Sequence, residues 1–213
     1  MACKISVKRK GKAEPIVESI NQKNLVEKGR VQFFYHSPSS TLPIRDVLNE
    51  QREGAKTEPH IEIGAENYLA KCYQNNIIDL INNNEQFLFL FTTCRHKKML
   101  QYGKKFIVGY IDRTDYDKIG RGKNSRYYIK GKTYLYEFSD SISLSKLGYS
   151  EGTRRKCINE KDCHKILNHF KNKKNIVKKC IDEIISLDKT NETCPAKKGK
   201  KCPLQKQCPR WNS

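Results

Sequence analysis

Three cysteines lie close together near the end of the chain, at Cys194, Cys202 and Cys208, and each is followed directly by proline. Their spacing is Cys-x7-Cys-x5-Cys, and Cys180 supplies a fourth thiol upstream on a predicted helix. Four thiolates are what a structural zinc ion or an iron–sulfur cluster requires. The sequence therefore predicts one metal centre, ligated by Cys180, Cys194, Cys202 and Cys208.

The identity of the metal stays open at this point. Zinc sites usually contain Cys-x2-Cys pairs, and this chain has none, so we expect a 4Fe-4S cluster with zinc as the alternative. Disulfides are disfavoured because the 9 cysteines are an odd number and the polar, basic residues 1–12 do not resemble a secretion signal. We accordingly expect a cytoplasmic protein. A disordered basic tail with incidental cysteines is a further alternative.

The charge of the chain indicates a polyanionic partner. Its 213 residues include 42 Lys and Arg against 23 Asp and Glu, a formal net charge of +19. Nucleic acid is the leading candidate for that partner, and a merely basic surface composition is the alternative. The longest apolar run, residues 87–91, is far too short to span a membrane, so we expect no membrane insertion.

A polar and cationic loop directly follows that apolar run. Loops mounted on rigid strands are where binding residues concentrate. Its cations can pair with phosphates, its threonines can hydrogen-bond a base edge, and its histidine can do either. The residues of this loop predicted to bind nucleic acid are Thr92, Thr93, Arg95, His96, Lys97 and Lys98.

A second basic segment, residues 120–126, runs into two tyrosines. Cations next to aromatic rings hold single strands and flipped bases, so we predict contacts from Arg121, Lys123, Arg126 and Tyr127. In this interpretation Tyr127, Tyr35 and His36 form the wall of a base-sized recess opposite loop 92–98. The alternative is that both loops are solvated and the tyrosines pack on a sheet.

Few residues indicate catalysis. The chain has no Walker-type glycine loop, no His-Glu-x-x-His and no Gly-x-Ser-x-Gly. Asp112, Asp115 and Asp117 could serve a divalent metal or acid–base chemistry, although such a run is more often a solvated turn. The sequence leaves open whether the protein is an enzyme.

Hydrophobic patterning predicts the elements that position these loops. We expect an α+β fold with a small curled or barrel-like mixed sheet and covering helices in residues 1–150. A basic, helical and cysteine-bearing appendage is expected in residues 151–213. The individual predictions are strands at 31–36, 87–93 and 105–112, a helix over 65–82, and a hairpin of 126–129 with 133–138 around a turn at 130–132.

Two of these segments resemble a known family. Residues 28–37, Lys-Gly-Arg-Val-Gln-Phe-Phe-Tyr-His-Ser, are similar to the GD-x-x-x-x-Y-H-S strand of EVE domains, and residues 106–111, Phe-Ile-Val-Gly-Tyr-Ile, resemble their G-I-V-G strand. Residues 87–138 also resemble the ASCH-type succession of an apolar strand, a basic loop and a Val-Gly strand. Both families belong to the PUA-like superfamily, whose curled sheets bind RNA or modified bases. The resemblance, over residues 28–145, implies a pocket near the corresponding strand ends.

These features lead to one functional hypothesis and two alternatives. We expect a nucleic-acid-binding protein that recognises a modified or unstacked base in a PUA-like pocket and grips the backbone with a metal-stabilised basic tail. One alternative is an iron–sulfur enzyme that processes nucleic acid, of the glycosylase or nuclease class. The other is an interaction subunit of a ribonucleoprotein.

Overall fold

A computed structural model describes residues 25–45, 70–72, 75–119, 126–149 and 157–191 of the chain. The strands are β1 (Val26–Phe33), β2 (Ala70–Cys72), β3 (Glu85–Thr93), β4 (Lys105–Ile119), β5 (Arg126–Leu135), β6 (Ile142–Ser143) and β7 (Cys157–Ile158). The helices are α1 (Asn75–Asn82), α2 (Glu160–Phe170) and α3 (Val177–Asn191), with a short 3-10 helix at Leu144–Leu147.

The strands form one mixed sheet in the order β2-β5-β4-β3-β1-β7, and β6 pairs with β4 beside this path. Strands β1 and β3 are parallel, whereas the other pairs are antiparallel. The predicted α+β class with a mixed sheet is confirmed. The sheet is open, because its outer strands β2 and β7 do not pair with each other in the described part of the chain, so it does not form a barrel.

Both faces of the sheet are covered, and β3 is buried at nearly every position. Its phenylalanines at 87, 89 and 91 join one buried cluster with Ile166 and Phe170 of α2. Its leucines at 88 and 90 join the other cluster, which also contains Leu80 of α1 and Ile184 of α3. Full burial of one such side chain contributes about 1.5–3 kcal/mol, so β3 anchors both layers.

The parallel pairing of β1 with β3 brings the segments that follow them to the same end of the sheet. Phe33 lies opposite Phe91, and just beyond them the Thr92 hydroxyl donates a 2.7 Å hydrogen bond to the Phe34 carbonyl. Strand β4 begins at this end too, since Thr93 pairs with Lys105. Residues after β1, after β3 and before β4 are therefore neighbours.

The hairpin predicted at residues 126–138 is wrong, because residues 126–135 form the single strand β5. Gly131 lies opposite Arg113 of β4, and a Cβ built on it would lie 2.8 Å from the Arg113 Cα. The Lys-Gly-Lys sequence was interpreted as a turn because glycine is common in turns. Here the missing side chain instead lets two strands approach closely at a bulge in β4.

Two other predicted elements have different bounds. The helix expected over residues 65–82 begins only at Asn75, and residues 70–72 form β2, which pairs with β5. Pairing at the sheet edge outweighs the helical pattern there. Strand β1 covers 26–33 rather than 31–36, and His36 makes only an isolated bridge to Arg45.

Beyond residue 150 the structure describes residues 157–191, and these pack against the same sheet as the preceding part of the chain. Strand β7 pairs with β1, while α2 and α3 contribute to the two apolar clusters. Residues 192–213 of the predicted appendage lie outside the described residues, so their organisation stays a prediction.

Candidate nucleic-acid interface

The connection between β3 and β4, residues 94–104, is a compact loop closed by its own backbone. The Cys94 N–H donates to the Lys104 carbonyl at 2.9 Å, and the Gly103 N–H donates to the Cys94 carbonyl at 2.8 Å. Met99 packs against the apolar core, with its sulfur 3.8 Å from the Cys94 sulfur. This β3–β4 loop is therefore held from within and presents a defined outer surface.

That outer surface is cationic. The loop and the residue after it contain five Lys and Arg and no Asp or Glu. The side chains of Arg95, Lys97, Lys98 and Lys104 are exposed, and none of them forms an ion pair with another described residue. Their charges are available to an anionic partner.

Two large apolar side chains project from the same loop. Leu100 is 92% exposed and Tyr102 is 51% exposed, and Val26 is the third large apolar residue exposed in the described ranges. The fold buries such side chains almost everywhere else, so these two are free to contact a partner. Cations interleaved with an aromatic ring are typical of surfaces on which bases stack while phosphates pair with Lys and Arg.

The segment after β1 adds a second aromatic ring to this surface. The Arg95 guanidinium carbon lies 6.0 Å from the centroid of the Tyr35 ring, the range of a cation–π contact. Tyr35 in turn packs edge-on against Phe33, with ring centroids 5.1 Å apart. The structure therefore brings the predicted residues Tyr35 and Arg95 together. We call Tyr35 and residues 94–104 the basic end of the sheet.

His36 and Thr92 support the basic end from below, which corrects the prediction that they contact a base. Both residues are completely buried. His36 accepts the Arg95 backbone N–H at Nδ1 over 2.9 Å, so its Nε2–H donates to the Leu42 carbonyl at 2.8 Å. The Thr92 hydroxyl donates its hydrogen bond to the Phe34 carbonyl. Their polar atoms hold the loops after β1 and β3 to each other.

Thr93 and His96 remain candidates for ligand contact at the basic end. Both are half-buried where β3 ends. The Nδ1 atom of His96 is buried and makes no hydrogen bond with any residue that the structure describes.

The second predicted binding segment lies at the opposite end of the sheet. Tyr127 pairs with Lys118 near the end of β4, whereas Thr93 pairs with Lys105 at its start. At ~3.3 Å per residue these positions are about 40 Å apart along the strand, so Tyr127 does not form a recess with loop 92–98. The structure does not describe Arg121 and Lys123, nor the side chains of Arg126 and Tyr127.

Cys180 lies in the apolar core, which argues against the prediction that it ligates a metal. It is completely buried in the cluster beneath α1 and α3, and burial raises the pKa of its thiol to about 12. Metals bind the thiolate, which this environment disfavours. The other predicted ligands, Cys194, Cys202 and Cys208, lie outside the described residues.

The aspartates considered for catalysis lie within β4 rather than in a turn after it. Asp112 accepts a 2.8 Å hydrogen bond from the Gln86 side chain, and Asp115 accepts one of the same length from the Tyr116 N–H. These two carboxylates are thus engaged in contacts within the sheet.

Comparisons with protein-family models, with curated proteins and with solved structures found no match to this chain. The resemblance to PUA-like domains therefore stays a prediction. No helix in the described ranges is long and apolar enough to cross a membrane.

The sequence analysis did not single out Leu100, Tyr102 and Lys104, which belong to the candidate interface. The available signal was a leucine and a tyrosine placed among lysines in a short connection between two strongly apolar strands. Met99 of the same connection does enter the core, so the sequence pattern alone does not show which of its apolar residues stay exposed.

Replacing His36 by Phe should lower the free energy of unfolding by about 1–3 kcal/mol, because the buried Arg95 N–H and Leu42 carbonyl lose their partner. Denaturant unfolding measures the change. Arg95→Ala is the matched control: its side chain is exposed, so the variant should stay within about 0.5 kcal/mol of the parent. Equal stability of His36→Phe and the parent would contradict the supporting role of His36.

Proposed function

We propose that this protein binds nucleic acid through the basic end of the sheet. One observation carries the proposal: a closed loop without acidic residues displays four cations that have no described ion-pair partner, together with exposed Leu100 and Tyr102. The net charge of +19 supports a polyanionic partner, because it favours association with phosphates at long range.

The side chains at the basic end divide into two roles. Lys97, Lys98 and Lys104 pair with phosphates, a contact that carries no sequence information. Tyr102 offers a ring for a base to stack on, with Leu100 as an apolar neighbour. Bases in a duplex have their faces covered, so this surface favours single strands or unstacked bases.

We further propose that the basic end of the sheet recognises a particular kind of base. A PUA-like domain that selects a modified or unstacked base is supported by the sequence resemblance and by the position of Tyr35 and Arg95, side by side after β1 and β3. In the described part of the chain, no contact specifically favours an iron–sulfur processing enzyme or a ribonucleoprotein subunit over this binding role.

We also propose a metal centre near the end of the chain. Cys194, Cys202 and Cys208, each followed by proline in a lysine-rich segment, bind an iron–sulfur cluster, with zinc as the alternative. Because Cys180 is buried in the core, the fourth ligand comes from another residue. The metal would order a basic segment that adds backbone contacts.

Changing Lys97 and Lys98 together to Ala should weaken binding to a short single-stranded oligonucleotide. The slope of log affinity against log salt should fall by about 1.4, because each phosphate contact on a single strand contributes ~0.7. Fluorescence anisotropy titrations over a range of salt concentrations measure both effects.

The matched control removes the same charge elsewhere. Lys173 and Lys179 pair with Asp140 at 3.0 Å and Glu137 at 3.2 Å, so their joint change to Ala should alter the slope little. Equal losses in the two double variants would show that net charge, not the basic end, drives binding.

Tyr102→Ala should cost about 1–3 kcal/mol of binding free energy while leaving the salt slope unchanged, because it removes stacking and no charge. Tyr102→Phe keeps the ring and should bind like the parent. Since Tyr102 is 51% exposed, neither variant should lose stability. Parental affinity in Tyr102→Ala would exclude stacking on this ring.

The metal proposal predicts that changing Cys202 and Cys208 together to Ser abolishes bound iron or zinc in the purified full chain. Cys180→Ser should keep the metal but lower the free energy of unfolding by about 1–3 kcal/mol, because it buries a hydroxyl in the core. Elemental analysis and denaturant unfolding measure the two effects. Full metal content in the double variant would contradict the assignment.

A further inference from the structure

Arg113 of β4 is the largest fully buried side chain in the described residues, with 1% of its surface exposed. Its Nε, Nη1 and Nη2 atoms make no hydrogen bond with any of those residues. A guanidinium has five N–H donors and stays protonated in proteins. Burying such a group without an acceptor is strongly unfavourable, so this residue needs an explanation.

The acidic groups near Arg113 already have other donors. The carboxylate of Glu85, itself buried, receives both arms of Arg30, at 2.6 and 2.9 Å. Asp115 receives the Tyr116 backbone N–H. Burial lowers the pKa of Arg113, and the attraction of Tyr116, Glu85 and Asp115 offsets this only in part.

Arg30 shows how this fold accommodates an arginine whose role is structural. Its guanidinium meets the two oxygens of Glu85 side by side and also lies 3.5 Å from Asp79. The hydrogen bond to Glu85 is the main cause that raises the pKa of Arg30. Arg113 has the same planar group in the same sheet, but no described carboxylate faces it in this way.

We propose that Arg113 binds an oxyanion, a phosphate or carboxylate group of a small ligand, through its guanidinium. Either group offers two oxygens that match the planar fork of N–H donors. Tyr116 and Asp115, which lie near Arg113 on the same strand, would border the bound group. A charge-assisted hydrogen bond in so buried a position is shielded from water and correspondingly strong.

This site is separate from the basic end of the sheet. Arg113 lies eight residues along β4 from Lys105, which at ~3.3 Å per residue is about 26 Å. Its 1% exposure leaves no room for a nucleic-acid backbone, and a small oxyanion reaches it only when the side chains around it move. A small ligand bound here would therefore be a second partner, independent of the proposed nucleic-acid binding.

Thermal unfolding of the full chain tests whether Arg113 lacks an internal partner. Arg113→Met keeps the side-chain length and removes the buried charge, so it should raise the Tm by about 2–4 °C. Arg30→Met is the matched control and should lower the Tm, because it leaves the buried Glu85 carboxylate without its partner. A lower Tm for Arg113→Met would overturn the proposal by showing that the chain itself satisfies this arginine.

Ligand titrations test the site directly. Inorganic phosphate and acetate are added to the parent and to Arg113→Met at an ionic strength held constant with chloride. One oxyanion should raise the parent's Tm to a plateau and leave Arg113→Met unchanged, and whichever acts identifies the group. Equal stabilisation of both proteins, or none of the parent, would overturn the proposal. The Lys97 and Lys98 double variant should respond like the parent, which separates this site from nucleic-acid binding.

Discussion

The parallel pairing of β1 with β3 determines which residues of this chain share a surface. Strand β3 is buried on both faces, so its position in the sheet is fixed by phenylalanines on one side and leucines on the other. In the observed register Phe33 of β1 lies opposite Phe91, so β1 ends beside the end of β3. Tyr35 and Arg95, 60 positions apart in sequence, meet there, and the His36 imidazole joins their loops. The proposed nucleic-acid interface follows from that arrangement.

Two arginines in the same sheet illustrate how burial and charge separate structural from functional residues. Arg30 satisfies the buried carboxylate of Glu85, and each makes the burial of the other tolerable. Arg113 carries the same charge with even less exposure and no described acceptor. Burying a charged side chain without an acceptor lowers the stability of the free protein. We therefore attribute the presence of Arg113 to ligand binding and not to folding.

Part of this architecture could be predicted from the sequence. Strands β3 and β4 were predicted because their apolar runs are continuous, and the cationic loop between them was identified from its lysines and arginine. Gly131 was misread because a glycine between lysines predicts a turn, and only its partner Arg113 shows why glycine is needed. Tyr127 was placed near Arg95 because the apolar strand ends at the cationic loop and the family resemblance implies a pocket at the strand ends. The length of β4 beyond residue 112 was not visible in the pattern. The roles of His36 and Thr92 depend on loop contacts between distant segments, which no local pattern encodes.

Ultraviolet crosslinking of the full chain to a short single-stranded oligonucleotide, followed by mass spectrometry of the crosslinked peptides, tests the central claim most directly. If nucleic acid binds at the basic end of the sheet, adducts form in residues 94–104, with Tyr102 as a principal site, and in the segment that contains Tyr35. Adducts confined to residues 120–128, at the opposite end of β4, or to the tail after residue 191 would contradict it.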